Sequence, residues 1–257
     1  MMRTVQRLTA SALFLLMVGG PALAEVKTSD VTFKSGDEQV KGFLAEPDGK
    51  GPFPAVIVIQ EWWGLNDWIK DNAKRLAAQG YVALAPDLYR GKVTDDPAVA
   101  GQLMKGLPKD RATRDLKGAV DFLTSKANVQ KDKVGSIGWC MGGAYSLQLA
   151  IDEPRVKAYV MCYGRTVTDE AALKKINGTL LGIFGEDDKG IPAAGVRDFE
   201  KALKGAGKKV DQVKIYKGAG HGFMRPANGT KPNPEYREEA AKDAWMQIDK
   251  FFAKELK

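Results

Sequence analysis

The sequence feature that most constrains the fold is a continuous apolar run from Ala55 to Ile59, introduced by Pro52 and Pro54. A strand with one face in water alternates polar and apolar residues, whereas a strand buried on both faces is apolar throughout. The run therefore predicts a central strand whose sheet is covered by helices on both faces.

Strand-like and helix-like segments alternate along the rest of the chain. A helix that begins after Asn66 and stops at Gly80 follows the apolar run. The predicted strands are 31–33, 39–45, 55–59, 82–85, 134–139, 156–163, 179–184 and 213–216, and the predicted helices are 67–79, 111–125, 141–151, 193–203 and 234–255. This order predicts one α/β domain over 25–257, with a mostly parallel central sheet, helices on both faces and an N-terminal antiparallel hairpin.

The first 24 residues carry the pattern of an export signal. Arg3 and Arg7 precede a short apolar run from Ser11 to Val18, and Ala22-Leu23-Ala24 matches the cleavage site of a secretory signal peptide. The apolar run is too short to span a bilayer as a helix. We expect cleavage after Ala24 and an exported mature chain, most simply in a bacterial periplasm.

Composition narrows the classes of function. Removal of Arg3 and Arg7 with the signal would lower the formal net charge from +7 to +5, and the remaining lysines are interleaved with acidic residues. That pattern favours a solvated surface, mildly attractive to anionic substrates, over a nucleic-acid partner. The chain has one histidine, His221, and two cysteines, Cys140 and Cys162, which are too few for the usual zinc sites. We expect neither a metal nor another cofactor.

A glycine-rich turn, Gly138-Trp139-Cys140-Met141-Gly142-Gly143, lies between a predicted strand and a predicted helix. It matches the G-x-S-x-G nucleophile elbow with cysteine in place of serine. The helix N-terminus behind Cys140 offers unpaired N–H groups and a partial positive charge, and the N–H of Met141 points where an oxyanion would form. A turn that merely contains a buried cysteine, or that binds phosphate, is the alternative interpretation.

Three further segments follow predicted strands in order, and functional groups collect at such strand ends in parallel sheets. They are Gln60–Asn66 (QEWWGLN), Gly185–Pro192 (GEDDKGIP) and Gly218–Phe223 (GAGHGF). Together with the G-x-C-x-G-G turn, they resemble the dienelactone hydrolase family (carboxymethylenebutenolidase-like) of the α/β-hydrolase superfamily over almost the whole mature chain. The resemblance implies an α/β-hydrolase fold and a carboxylic ester hydrolase that cleaves an ester or lactone through an acyl-cysteine intermediate.

The resemblance assigns a catalytic triad. Cys140 becomes the nucleophile, His221 its base, and Asp188 the acid that holds the imidazole in the required tautomer. Asp187 is the competing acid. Asp188 is preferred because family members place the acid four residues before a proline, here Pro192.

By the same resemblance, Glu61 lies against the nucleophile and helps to generate the thiolate once substrate displaces it. A carboxylate near a thiol keeps the thiol protonated until it moves away, which protects it from oxidation. Trp62 would give the second oxyanion N–H beside that of Met141. The side chains of Trp62 and Trp63 could instead belong to the core or to the pocket wall.

The residues that bind the substrate in dienelactone-cleaving members of the family are only partly present in this sequence. Arg225 stands four residues after His221, where dienelactone-cleaving members of the family have an arginine that binds the substrate carboxylate. The second arginine and the tyrosine of those members have no counterpart in the segment 91–110, which we expect to line the pocket rim. The other candidates for substrate contact are Tyr89, Arg90, Lys92 and Lys105.

Other functions stay open. A Cys140–Cys162 disulfide would indicate a periplasmic thiol or redox protein, although the apolar surroundings of Cys162 favour simple packing. A non-catalytic binding protein could keep the fold, and a broader carboxylesterase or thioesterase could use the same acyl-cysteine mechanism. We expect a monomer whose partner is a small-molecule ester or lactone, anionic ones included, with no nucleic acid and no membrane span after signal removal.

Overall fold

Strands and helices alternate through the computed structural model, which describes residues 25–257 apart from the side chain of Asn228. The predicted signal segment, 1–24, lies outside the described residues, so the export prediction stays a prediction. The elements are β1 (Val26–Ser35), β2 (Glu38–Pro47), β3 (Phe53–Ile59), α1 (Asp67–Ala78), β4 (Val82–Pro86), α2 (Pro97–Lys105), α3 (Lys109–Ser125), β5 (Val129–Trp139), α4 (Met141–Asp152), β6 (Val156–Cys162), α5 (Glu170–Leu173), β7 (Thr179–Gly185), α6 (Ala193–Gly205), β8 (Lys209–Tyr216), β9 (Ala227–Asn228), β10 (Lys231–Pro232) and α7 (Glu238–Leu256).

Eight strands form one sheet in the order β1-β2-β4-β3-β5-β6-β7-β8. The pairs from β4 through β3 to β8 are parallel, and β2 is antiparallel to both β1 and β4. The predicted fold, an α/β-hydrolase sheet that starts with an antiparallel hairpin, is therefore confirmed.

The apolar run of β3 lies in the middle of this sheet and is buried on both faces. Ala55, Ile57 and Ile59 pack into one apolar cluster, and Val56 and Val58 pack into a second cluster on the opposite face. All five residues are fully buried. The unbroken apolar pattern thus reflects a strand that contributes to two cores at once.

The start and stop signals that the sequence predicts for the first helix are present at the two ends of α1. The Asn66 side chain accepts a hydrogen bond from the Ile69 N–H at 3.2 Å and caps α1, and Gly80 follows that helix with a φ of 91°. The last helix begins at Glu238 rather than at Pro234, because Asn233 accepts the Glu235 N–H in a preceding turn.

No helix within 25–257 combines the length and the apolar character needed to cross a membrane.

The helix α2 was not predicted from the sequence, and neither were the short elements α5, β9 and β10. The segment 91–110 contains α2, whose first turn is capped by Asp96 through a 2.7 Å bond from the Ala98 N–H, with Pro97 at the first position. Only Ala100 of this helix is buried, so the sequence lacks the apolar stripe that reveals most helices. The Asp-Pro pair was the available signal.

A buried carboxylate on α3, Asp115, joins the N-terminal hairpin to the end of β4. Ser35 Oγ donates to Asp115 Oδ1 at 2.5 Å, and the Arg90 guanidinium donates to the two carboxylate oxygens at 2.7 and 3.1 Å. Arg90 also pairs with Glu38 at 2.9 Å, and its φ of 55° is rare for a non-glycine residue. Arg90, a sequence candidate for substrate contact, is therefore engaged in holding the fold.

We expect Asp115→Ala to lower the free energy of unfolding by about 3 kcal/mol, because it leaves Arg90 without its main partner. Urea unfolding followed by tryptophan fluorescence measures the change. Asp121→Ala on the same helix is the control, since it removes only an exposed ion pair with Arg155 and should cost less than about 1 kcal/mol. Equal losses in the two variants would contradict the role given to Asp115.

Candidate active site

Cys140 lies in a strained turn between β5 and α4, with φ 54° and ψ −116°. A Cβ atom on Gly142 would lie 2.3 Å from the Ile59 carbonyl oxygen, and one on Gly143 would lie 2.6 Å from that of Cys162. The Cys140 N–H also donates to the Cys162 carbonyl at 3.0 Å. The glycines therefore let this turn pack directly on the ends of β3 and β6, where it presents a partly exposed thiol.

Two loops at the same edge of the sheet bring a histidine and a carboxylate together. His221 Nδ1 lies 2.7 Å from Asp188 Oδ2. Asp188 is buried, and its other oxygen accepts the N–H groups of Gly190 at 2.8 Å and Ile191 at 3.0 Å. Asp187 is exposed. Of the two candidate acids, the structure places Asp188 against the histidine.

The electrostatics of this pair favour a proton on the imidazole. Burial by itself raises the pKa of Asp188, but the hydrogen bonds from His221 and the two backbone N–H groups hold that pKa below its ordinary value. Burial lowers the pKa of His221, whereas its hydrogen bonds to Asp188 and Cys140 outweigh this and raise it to about 10. Both interactions stabilise the imidazolium, which is the form that results when an imidazole takes up the proton of a thiol.

Glu61, at the end of β3, is buried beside the site and forms an ion pair with Arg225. The distance from Arg225 Nε to Glu61 Oε2 is 2.9 Å, and the guanidinium carbon lies 5.0 Å from the centre of the Trp63 ring. Burial raises the pKa of Glu61 despite the opposing charges of Arg225 and His221. Both side chains of the pair are almost completely buried, at 3% and 6% exposure.

The burial of Arg225 differs from what the sequence led us to expect. Arg225 is absent from the cavity lining that includes Cys140 and His221, and its guanidinium contacts Glu61 and Trp63 instead. The physical reason is the neighbouring buried carboxylate, which needs a compensating charge. In this structure Arg225 is thus engaged inside the protein rather than open to a substrate carboxylate.

The oxyanion candidates come from two adjacent segments. Met141 is the first residue of α4, so its N–H has no acceptor within the helix. Trp62 follows Glu61 in the turn after β3, on which the start of α4 packs. The Tyr89 hydroxyl, a further sequence candidate, is nearly buried and lies 3.3 Å from the Met141 sulfur. Tyr89 therefore packs against Met141 inside the protein.

A cavity is lined by Cys140 and His221, and part of its wall is apolar. The apolar residues of this wall include Met104, Leu107, Met141, Tyr145, Tyr163, Val167 and Ile191. Met104 and Leu107 belong to the segment 91–110, which lines the rim as predicted. Sequence reasoning did not single out Tyr163 or Arg165, although they follow the carboxyl end of β6, where the rule for parallel sheets places functional groups.

Tyr163 is the most constrained of these unpredicted residues. Its ring packs edge-on against the His221 imidazole with centroids 5.2 Å apart, and its φ is 36°. The neighbouring Cys162 is buried in β6, and both it and Cys140 are free thiols. Burial raises the pKa of the Cys162 thiol. Packing, rather than a disulfide with Cys140, therefore accounts for Cys162 in this structure.

Comparison with known proteins points to a single family. The model of the dienelactone hydrolase family matches residues 40–256. Proteins provisionally named carboxymethylenebutenolidase are 35% identical over 230 residues in Methylorubrum extorquens, covering 84% of this chain and 77% of that protein, and 35% identical over 252 residues in Synechocystis, covering 91% and 99%. The solved structure of the dienelactone hydrolase-like promiscuous phosphotriesterase P91 from metagenomic libraries has a TM-score of 0.81 and 27% identity, covering 90% of this chain and 99% of that one.

The single histidine allows a direct test of the acid. We expect Asp188→Asn to lower the pKa of His221 by about one unit or more, because the carboxylate that stabilises the imidazolium is lost. NMR titration of the imidazole measures this without ambiguity of assignment. Asp187→Asn is the matched control and should leave the titration unchanged. A shift of the same size in both variants would refute the selection of Asp188.

Proposed function

The chain belongs to the dienelactone hydrolase family, and we propose that it is a carboxylic ester hydrolase that opens an ester or lactone by way of an acyl-cysteine at Cys140. The observation that carries the proposal is the position of His221, which bonds Asp188 through Nδ1 at 2.7 Å and lines the same cavity as Cys140. This order of thiol, imidazole and carboxylate is the one that nucleophilic acyl transfer requires.

The reaction proceeds in two halves. His221 takes the thiol proton as the Cys140 sulfur attacks the substrate carbonyl carbon, and the N–H groups of Met141 and Trp62 stabilise the resulting oxyanion. Collapse of the tetrahedral intermediate breaks the C–O bond, and the imidazolium returns the proton to the leaving alkoxide. Water, deprotonated by His221, then attacks the thioester, and the acid product leaves with Cys140 restored as a thiol. In a lactone the released alcohol stays attached to the acyl group.

Glu61 and Arg225 act on this reaction by controlling charge near the thiol. An unpaired carboxylate beside the sulfur would oppose thiolate formation, and the Arg225 guanidinium, 2.9 Å from Glu61, weakens that opposition. Displacement of Glu61 by a bound substrate would weaken it further. The pair would therefore moderate the negative charge near Cys140 in the resting enzyme, and displacement of Glu61 would remove that charge once the site is filled.

A broader carboxylesterase or thioesterase is the second candidate. The engagement of Arg225 with Glu61 and the apolar lining around Tyr145 and Ile191 favour a site that accepts many acyl groups over one dedicated to dienelactone. A hydrolysis panel of dienelactone, p-nitrophenyl esters and acyl thioesters distinguishes the two candidates by their relative kcat/KM values.

Loss of the nucleophile tests the mechanism. We expect Cys140→Ala to reduce kcat on every accepted substrate by about 1000-fold or more, because no acyl-enzyme can form. Mass spectrometry of wild-type protein quenched during turnover should show one acyl group on Cys140. Cys162→Ala removes the buried thiol and is the control, which should keep its activity. Hydrolysis that persists unchanged in Cys140→Ala would exclude the mechanism.

We also propose that the protein is exported after cleavage behind Ala24, on the basis of the basic, apolar and small-residue order of 1–24. In a bacterial host, the mature protein should begin at Glu25 and leave with the periplasmic fraction. Ala24→Arg, which places a large charged residue at the cleavage site, should yield uncleaved chain. Intact mass and fractionation measure both results. Full-length wild-type protein in the cytosol would rule the proposal out.

A further inference from the structure

The cavity at Cys140 extends far beyond the space that a small lactone needs. Cys140 and His221 line one part of it, and its volume is about 1590 Å³. Pockets for drug-sized ligands usually measure roughly 300–1,000 Å³. Most of the remaining lining belongs to two helices, α3 and α4. Acyl transfer at Cys140 does not by itself account for this larger part of the cavity.

The spacing of the lining residues shows that this larger part is a groove along both helices. The residues recur at every third or fourth position, which places them on one face of each helix. They include Met141, Tyr145, Gln148 and Asp152 on α4, and Asp110, Thr113, Lys117, Asp121 and Ser125 on α3. At the rise of an α-helix, the wall from Met141 to Asp152 is about 16 Å long. We call this part of the cavity the α3–α4 groove.

The groove begins at the nucleophile turn and runs towards the opposite edge of the sheet. The strands β4, β5 and β6 run in the same direction, and α3 and α4 each end just before the next of these strands begins. Both helices therefore run from the carboxyl edge, where Cys140 lies, to the amino edge. They also pack on the same apolar cluster, so they lie side by side on one face of the sheet.

The groove has an apolar floor in the part away from the nucleophile. Phe33, Leu147 and Ile151 line it and are buried. The Phe33 ring packs against the Phe122 ring, a further lining residue, with centroids 5.7 Å apart. Asp121, by contrast, is exposed and belongs to the rim. An apolar floor below a charged rim suits a hydrocarbon chain, because burial of the chain removes apolar surface from water.

Exposed apolar side chains also line the cavity outside the two helices. Met104, at the end of α2, is 39% exposed, and Val167, beyond the end of β6, is 36% exposed. Val99, on the same short helix as Met104, is 41% exposed. Grouped apolar side chains on a protein surface are typical of a binding site for an apolar ligand. A bound hydrocarbon chain would shield part of this surface from water.

We propose that the α3–α4 groove holds the acyl chain of the substrate and that the enzyme prefers esters of long, unbranched fatty acids. This inference rests on the proposed hydrolase function at Cys140. An extended dodecanoyl chain is about as long as the α4 wall of the groove. Each methylene group that the groove buries contributes to binding of the substrate and of the transition state.

The position of His221 selects the acyl half of the ester over the alcohol half. In the proposed reaction His221 returns its proton to the leaving alkoxide, so the alcohol half lies beside His221. His221 follows β8, whereas α3 packs against β1, β3, β4 and β5, on the side of the sheet away from β8. The acyl half is therefore the one that enters the groove.

The first test is the dependence of hydrolysis on chain length. We expect kcat/KM of the wild type for p-nitrophenyl laurate to exceed that for p-nitrophenyl acetate by about 100-fold, because the longer chain buries more methylene groups. Thr113→Trp should lower this ratio by about tenfold, since the indole ring fills part of the groove. Ser125→Trp, at the far end of α3, should lower it less. A ratio that stays the same in Thr113→Trp would overturn the inference.

Thr124→Trp is the matched control. Thr124 is a described residue of the same helix, half-buried like Thr113, that lies outside the cavity lining. The control should keep the wild-type ratio, and a fall equal to that of Thr113→Trp would contradict the role of the groove. Methyl laurate and dodecyl acetate then distinguish the two halves of the ester. Preference for dodecyl acetate would overturn the assignment of the groove to the acyl chain.

A binding measurement separates this inference from the hydrolase proposal. In a Cys140→Ala background, titration calorimetry with laurate below its micelle concentration should show binding that Thr113→Trp weakens about tenfold, since the same space is filled. Laurate binding without turnover of any ester by the wild type would defeat the hydrolase proposal alone. Absence of laurate binding, or equal binding with and without Thr113→Trp, would overturn the groove as an acyl site. A wild-type dimer that Thr113→Trp dissociates would assign the groove to contact between two copies and overturn it as well.

Discussion

The site depends on one steric constraint, the close approach of the turn at Cys140 to its neighbouring strands. Side chains at Gly142 and Gly143 would collide with the carbonyl oxygens at the ends of β3 and β6. Because these positions lack side chains, Cys140 keeps a strained φ of 54° and stands between the segment of Glu61 and that of Tyr163. The candidate acid, the candidate base and both oxyanion candidates are then supplied by the ends of strands that the parallel sheet already aligns.

Two buried carboxylates of the structure are each compensated by an arginine. Glu61 with Arg225 and Asp115 with Arg90 each place a buried carboxylate against a guanidinium. Such pairs arise because an isolated buried charge is far more unfavourable than a paired one. They also hold two arginines of the described residues against carboxylates of the protein itself.

The sequence predicts what is local or periodic. The apolar run of β3, the cap at Asn66 and the order of strand ends gave the fold and brought Cys140, Asp188 and His221 to one edge of the sheet. The helix α2 was not predicted because only Ala100 of this helix is buried, so the apolar residues of its sequence show little helical periodicity. The engagement of Arg225 depends on a carboxylate 164 positions earlier in the chain, and no local pattern encodes such a partner. Spacing to Pro192 selected the same acid that the geometry places against the histidine.

The strand order leaves two open sheet edges, β1 and β8, and their composition bears on solution behaviour. An unpaired edge is a template for pairing with another molecule, and charged side chains on it oppose such aggregation. Lys27 and Lys34 lie on β1, and Lys209 and Lys214 lie on β8. Two sheets that met edge to edge would bring like charges together and remove them from water. The sheet that aligns Cys140, Asp188 and His221 therefore resists edge-to-edge growth into a larger sheet.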